Sequence, residues 1–499
     1  MKFFLFLSLF FLSFSLVSQT APDVEGDLIA SGPLVFQGKV AGHFRLTDNK
    51  QPEDLIYVYT ITLLGNDLQP LGNKVYKSDI KLSFEDISYN GKYLGVMLKA
   101  DGVGHKRYVD VIDGQGERIS RDTLNYHMLK QESRGLFLKP QKEGFIYGMA
   151  YVQDYYIQFD LGLITSDGTT EAWNTTYKEK KTSLMPRVIA SDNDKMLLAV
   201  QRITKSGTKY YQDVYCVGTK TGELIYKSEQ DEGTSSAITE VPITAAFIGD
   251  EAVTIHNVPL KFKSKDTGLT LFHYDKEGQI VIQRSFFDRE FFNEALLENG
   301  LPPLEKDENA KRVDVKVNGE GTITISYEIS SKRDKKGKKV QGLEYRDAYM
   351  VVITPGFRAG PLIKLEKQHF ILRNEATAGL QGNEVYKLRR RMKKGQYEKL
   401  GLKDLVSLHN GPYGFALSVN GTDFISNFFM DRDFTSEKVV YNGVRVVTCY
   451  GGEFEQDYIP FTENPDFISI SRAKEGYLKL TEYKYGEGAV KIWLERLNY

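Results

Sequence analysis

The stretch "ISYNGKYLGVML" at residues 87–98 is an apolar run, an Asn-Gly turn and a second apolar run. Asn-Gly between two such runs is a strong hairpin signal, because both residues accept the positive φ that a tight two-residue turn needs. Whether it is a single hairpin or one copy of a repeat decides the fold. Similar pairs occur as "GLFLKPQKEGFIYGMAYV" from Gly135, "PRVIASDNDKMLLAVQRI" from Pro186, "TAAFIGDEAVTIHNV" from Thr244 and "RVDVKVNGEGTITISYEI" from Arg312. Two more follow, "LVSLHNGPYGFALSVN" from Leu405 and "FISISRAKEGYLKLTEYK" from Phe467. The second strand of each pair is expected to start near Lys92, Gly144, Lys195, Glu251, Gly321, Tyr413 and Gly476, giving spacings of 52, 51, 56, 70, 92 and 63. A fixed period near fifty residues signals a repeat architecture.

The two widest gaps contain insertions. Residues 286–311 carry a short helical pattern ending at Gly300 and a Pro pair, and residues 364–404 form a longer, basic segment. A second hairpin with a Gly or Asp turn follows the inner one, as in "YVDVIDGQGERIS" and "LTLFHYDKEGQIVIQRSF", so each unit is four short strands. Second strands such as "YLGVML" and "KMLLAV" are apolar at consecutive positions, which suits a strand buried on both faces. Radially stacked sheets bury both faces, and that geometry is an all-β propeller.

Two stretches, "ISYNGKYLGVM" (87–97) and "VIASDNDKMLLAV" (188–200), resemble the "S-x-D-G-K-x-(I/L)-A" signature of WD-repeat and TolB-like propeller blades. The resemblance implies four-stranded antiparallel blades and extends over most of the chain, while the Trp-Asp and Gly-His pairs, the kelch double glycine and a recurring Asp box are absent. If the region from Leu28 to Lys77 completes the last sheet by pairing the two chain ends, the count is seven blades, which is favoured; otherwise it is eight.

The chain opens "MKFFLFLSLFFLSFSLVSQTAP", with Lys2 followed by an apolar run from Phe3 to Val17. That pattern reads as a secretory signal peptide over residues 1–18, cut near Ser18, with a single propeller domain over 19–499. The run is shorter than the roughly 20 residues a membrane-spanning helix needs, and no later run is long and apolar enough. An exported protein, periplasmic or extracellular, is expected. With 65 basic and 66 acidic residues, the net charge of −1 gives no support to nucleic-acid steering. The only cysteines, Cys216 and Cys449, lie in strand-like apolar context and read as small buried hydrophobes.

Catalytic signatures are missing. The seven histidines are scattered, without HExxH or H-x-H, and no nucleophile elbow or complete phosphate-binding glycine loop occurs, so neither metal nor cofactor is expected. "DRDFTSE", with Asp431, Asp433 and Glu437, reads as a polar turn rather than a calcium loop. A Tyr-x-Asp motif recurs at the start of third strands: Tyr108 and Asp110, Tyr211 and Asp213, Tyr345 and Asp347. Third strands lie away from a propeller axis, so these aspartates are expected to cap turns through backbone N–H groups.

Propeller sites form at the channel mouth, beside first strands. Candidates there are Asp86, Arg134, Arg187, Asp314, His409 and Arg472, a mixture that a glycan-active hydrolase or lyase would need. The most distinctive surface features are two basic clusters. "SKRDKKGKK" carries Lys332, Arg333, Lys335, Lys336, Lys338 and Lys339, and "KLRRRMKK" carries Lys387, Arg389, Arg390, Arg391, Lys393 and Lys394. Together they suit an anionic glycan, a lipid headgroup or an acidic protein. The reading reached from sequence is a non-enzymatic binding or scaffold module, with the glycan-active enzyme as the alternative.

Overall fold

The computed structural model describes residues 19–20, 26–37, 39–49, 56–100, 106–125, 136–166, 173–204, 210–229, 242–258, 267–317, 321–332, 342–365, 370–373, 413–420, 424–434, 439–450, 453–460, 467–474, 477–484 and 489–496. Among them are eight antiparallel sheets, each built on four strands, and one short helix. Blade 1 runs Asp27–Phe36, Lys39–Asp48, Tyr57–Leu64 and Pro70–Ser78, and blade 2 Leu82–Tyr89, Leu94–Ala100, Lys106–Ile112 and Arg118–Asn125. Blades 3 to 7 have first strands Phe137–Gln141, Thr182–Ser191, Thr244–Ile248, Glu308–Val317 and Tyr413–Asn420. Blade 8 combines Phe467–Arg472, Tyr477–Lys484 and Ala489–Arg496 with Gln19–Thr20 as its outermost strand.

First strands touch first strands at most seams, including blade 8 to blade 1, so the first strand of each sheet faces the axis and the ring closes. The architecture is the β-propeller expected from the repeat. The condition on which the seven-blade count depended is not met: strands between Asp27 and Ser78 make a sheet of their own, and the chain ends join in a different one. The sheets therefore number eight.

Asn90 shows why the motif at 87–98 folds as it does. Its side-chain oxygen accepts the backbone N–H groups of Lys92 (3.1 Å) and Tyr93 (2.8 Å), and Gly91 adopts φ +94°. Asp192 repeats the device in blade 4, accepting from Asp194 and Lys195 at 2.8 and 2.6 Å. Second strands are buried on both faces, as the continuous apolar runs require: Leu94, Val96, Met97 and Leu98 are all at most 1% exposed. Successive blades bury aliphatic and aromatic clusters between them, such as Ile61, Leu63, Leu94 and Val96 between blades 1 and 2.

One pair was misaligned from sequence. Tyr413–Asn420 is the first strand of blade 7, and the second is Phe424–Phe434. The segment contains two Asn-Gly pairs, 410–411 and 420–421, and it is the latter that lies between the strands. With that shift, the step from Phe424 to Tyr477 is 53 residues, back near the period. Asp431 and Asp433 accordingly lie inside a strand, opposite Gly443 and Val440, rather than in a polar turn.

The helix Asp288–Glu298 occupies the first insertion and ends at Asn299, with Gly300 at φ +71°, as the pattern indicated. Phe291, Phe292, Ala295 and Leu296 bury in the cluster shared by blades 5 and 6. Asp288 accepts Arg312 and the Tyr327 hydroxyl, both at 3.1 Å. Of the second insertion, Phe370–Arg373 adds a strand to blade 6 beside Gly342–Ile353. Cys216 is free and buried between blades 4 and 5, where burial pushes its thiol up to about 11; the Cys449 side chain lies outside the described residues.

At the outer rim, turns between third and fourth strands seat on the preceding blade. A side chain at Gly116 (φ +86°) would meet the Asn73 carbonyl oxygen of blade 1 at 2.3 Å, and one at Gly278 (φ +81°) would meet the Tyr226 ring of blade 4 at the same distance. Left-handed backbone and close approach both demand glycine there.

Candidate functional site

The axis-facing strands share a local irregularity. In five blades the pairing of first and second strands skips one residue, at Ile29, Glu85, Ile189, Val313 and Ala416. A bulge bends a strand and re-aims a side chain, and here it recurs where the strands approach the channel. Three of the five, Ile29, Ile189 and Val313, carry large aliphatic side chains, and Ile29 is 49% exposed. Glu85 is held by Arg107 through Nε (2.7 Å) and Nη2 (3.2 Å), and Arg107 is only 4% exposed. Its carboxylate is engaged in a bidentate pair rather than standing free toward the axis.

Asp86 and Asp314 follow the bulge in blades 2 and 6. Asp86 Oδ1 accepts the N–H of Ile87 at 2.9 Å, and Oδ2 accepts the N–H of Leu138 from blade 3 at 2.7 Å. It is a clasp between neighbouring blades, which the sequence pattern did not reveal because Leu138 lies 52 residues away. Asp314 is largely buried, which raises its carboxyl above the usual range, against the opposing pull of Lys316 and the Val315 N–H. Standing four blades apart in a ring of eight, the two carboxylates belong to opposite sides of it. The structure thus does not bring them together as the acid pair a glycoside hydrolase requires. Arg187 is exposed on the first strand of blade 4. Burial lowers Arg472 on blade 8 from its ordinary range. Arg134 and His409 lie outside the described residues.

The Tyr-x-Asp motif is structural, by a route different from the one expected. Asp110 and Asp213 are fully buried and take guanidinium groups from a neighbouring strand instead of capping turns. Arg121 donates to Asp110 through Nε (2.6 Å) and Nη2 (2.7 Å), and Arg202 to Asp213 at 2.7 and 3.3 Å. Each arginine also lies over the motif's tyrosine, at 5.1 Å for Tyr108 and 4.8 Å for Tyr211. The hydrogen bond to Asp110 holds Arg121 above its ordinary range. In blade 6 a lysine takes the arginine's place, with Lys364 Nζ 3.1 Å from Asp347. Turn capping is performed by other aspartates: Asp113 accepts from Gln115 and Glu117, and Asp275 from Glu277 and Gln279.

Of the basic clusters, Lys332 ends the second strand of blade 6, Ile323–Lys332. Its side chain and the remaining eleven cations lie outside the described residues. Among the described residues no group of three or more His, Cys, Asp or Glu side chains is placed to hold a metal ion, and no helix is long and apolar enough to cross a membrane.

No family model matches the chain, and no curated protein matches it. Solved structures similar to it include a prolyl endopeptidase, at 12% identity and a TM-score of 0.37 over 92% of this chain and 55% of that one. The β-propeller domain of the Trilobed protease from Pyrococcus furiosus aligns at 11% identity and a TM-score of 0.37, over 88% and 98% of the two chains. The WD40 domain of SCAP from fission yeast aligns at 9% identity and 0.36, over 96% and 98%. This chain spans just over half the length of the prolyl endopeptidase and nearly the whole of the two propeller domains. At these identities and scores, no activity or partner passes from them to this chain.

Proposed function

We propose that the protein is an exported β-propeller that works as a binding or scaffold module, engaging an anionic partner through its two basic segments, 331–339 and 387–394. The observation that carries the reading is the use of the channel-side carboxylates. Asp86 is committed to backbone groups of two blades and Glu85 to Arg107 within blade 2, so both acids are engaged in structural contacts. The twelve cations of the two clusters, six in 332–339 and six in 387–394, are the densest runs of like charge in the chain and lie after the second and fourth strands of blade 6. A polyanion bound there displaces counterions, so its affinity falls with salt.

The test is binding of the mature chain to an array of anionic and neutral glycans and anionic vesicles, at low and high salt. A variant with both clusters changed to Gln and Ser runs beside it. Salt-sensitive binding that disappears in the variant is the expected result. Undiminished binding by the variant would overturn the basic contact, and release of shortened glycan would replace the module with a glycan-active enzyme. The intact mass of protein recovered from an exporting host checks the compartment: a chain beginning at Gln19 is expected, and a cytoplasmic chain retaining residues 1–18 refutes it.

A further inference from the structure

Most seams between blades are lined by aliphatic and aromatic side chains, whereas the seam that closes the ring sets buried polar and cationic side chains beside a small apolar cluster. On the second strand of blade 1, Phe44 and Leu46 pack toward blade 2. Strand alternation therefore turns His43, Arg45 and Thr47 the other way, toward blade 8. On blade 8, Ile492 and Leu494 pack against Leu68 of blade 1. Lys479 lies opposite Leu494 and also opposite Ser471 of the first strand, so all three share the face turned to blade 1. The first strands of the two blades are in contact.

This seam buries positive charge. His43 is 0% exposed, Lys479 2% and Arg45 7%. Both ring nitrogens of His43 and the Ser471 hydroxyl are buried without a hydrogen-bond partner. The other polar side chains set on that face by register include Ser31, Thr47, Thr60, Thr62, Thr481 and, on the outer strand of blade 1, Asn73 and Lys77; no carboxylate occupies that face among the described residues. The cations act on one another. Burial, and then Lys479, push His43 down to about 3; burial, and then Arg45, push Lys479 down to about 8. Lys479 thus remains protonated at neutral pH on a face that carries no carboxylate among the described residues. Buried charge is ordinarily paired, and buried hydrogen-bonding groups are ordinarily satisfied.

We propose that the seam between blades 8 and 1 binds a small oxyanion, a phosphate or carboxylate group, held by the Lys479 ammonium, the Ser471 hydroxyl and a ring N–H of His43, with Arg45 adding charge. The ammonium supplies three donors and the hydroxyl and imidazole one each, which matches the acceptor-only oxygens of such a group. Ser471 lies on the axis-facing strand, so the ligand enters from the channel side. The site is distinct from the basic segments in place and in ligand size, and by bridging the first and last blades the ligand would strengthen ring closure.

The test is isothermal titration calorimetry of the mature chain with inorganic phosphate and, separately, with acetate, at an ionic strength held constant with sodium chloride. Saturable binding of at least one anion is expected, and which one identifies the group. Ser471→Ala, which removes only a hydroxyl, should weaken it several-fold, and Lys479→Met should abolish it. The variant neutralised in both basic segments should bind as the parent does. Absence of saturable heat with either anion overturns the proposal, as does unchanged affinity in Ser471→Ala or loss of binding in the neutralised variant. If Lys479→Met does not fold, Ser471→Ala decides alone.

Discussion

The Tyr-x-Asp pairs give three versions of one interaction at graded burial, and their costs should be graded too. Asp213 has a fully buried side chain and its partner Arg202 is 18% exposed, whereas Asp347 is 14% exposed and Lys364 42%. Removing one member of a buried, hydrogen-bonded pair strands a charge and costs about 3–5 kcal/mol, while exposed pairs contribute about 0–1 kcal/mol. Asp213→Ala should therefore lower stability by about 3–4 kcal/mol, in the lower half of that range because Arg202 keeps its place over the Tyr211 ring. Asp110→Ala should cost somewhat less, since Arg121 is 34% exposed and can turn to water. Asp347→Ala should cost under about 1 kcal/mol. Urea unfolding followed by far-ultraviolet circular dichroism reads these as midpoint shifts at constant slope. The double variant Asp213→Ala with Arg202→Met should recover most of the loss, because it leaves no buried charge. Equal losses for Asp213→Ala and Asp347→Ala, or no rescue by Arg202→Met, would refute the reasoning.

Asn90→Ala removes two acceptor contacts to the inner turn and the 2.8 Å bond from Asn90 Nδ2 to the Ser166 hydroxyl, for a cost of about 2–3 kcal/mol. Asn90→Asp keeps the turn and should lose less, and the urea midpoints of the two variants check the order. Gly116→Ala forces a side chain into left-handed backbone and against Asn73, costing at least about 1–3 kcal/mol, while Gly114→Ala in the same turn meets nothing within 4 Å and should be near neutral. Thermal midpoints of the two variants separate them. His43 is depressed to about 3 in the folded chain, so the unfolded chain binds its proton more readily. Stability should fall as pH drops from about 6.5 towards 3, on the order of a few kcal/mol, and His43→Gln should remove that part of the loss. Lys479, depressed to about 8, works in the same sense higher up: stability should rise between about 8 and 10.5, and the rise should be absent in Lys479→Met.

The repeat was legible because its signals are local. Asn90-Gly91 and the consecutive apolar residues at 94–98 are determined by turn chemistry and by burial on two faces, and both recur in sequence order. The helix in the first insertion announced itself by its apolar spacing and by Gly300. The blade count was harder, since it depends on which distant segment Gln19–Thr20 pairs with, a contact that no periodicity encodes. The false start at Leu405 arose because two Asn-Gly pairs stand ten residues apart and the turn chemistry alone does not rank them. At the channel, residue type marked Asp86 as a candidate but gave no sign that its partners were backbone groups in two blades. Arg121 and Arg202 were missed for a related reason: a cation on the adjacent strand, directly opposite the aspartate for Arg121 and diagonal to it for Arg202, is visible only once the register is known.

The glycine turns of the outer rim bear on how such a chain can change over time. Gly116 meets Asn73 through main-chain atoms, and Gly72 meets the main chain of Gln115 from the other side, so at that point two blades are gauged backbone to backbone. The distance between them there is set by atoms every residue possesses. Side chains along the outermost strands, such as the exposed Leu71, Val75 and Ile119, are consequently released from fixing the spacing of the ring. Such a rim is a substrate for drift: its surface can be rewritten for a new partner one residue at a time, while the few glycines that keep the gauge stay put.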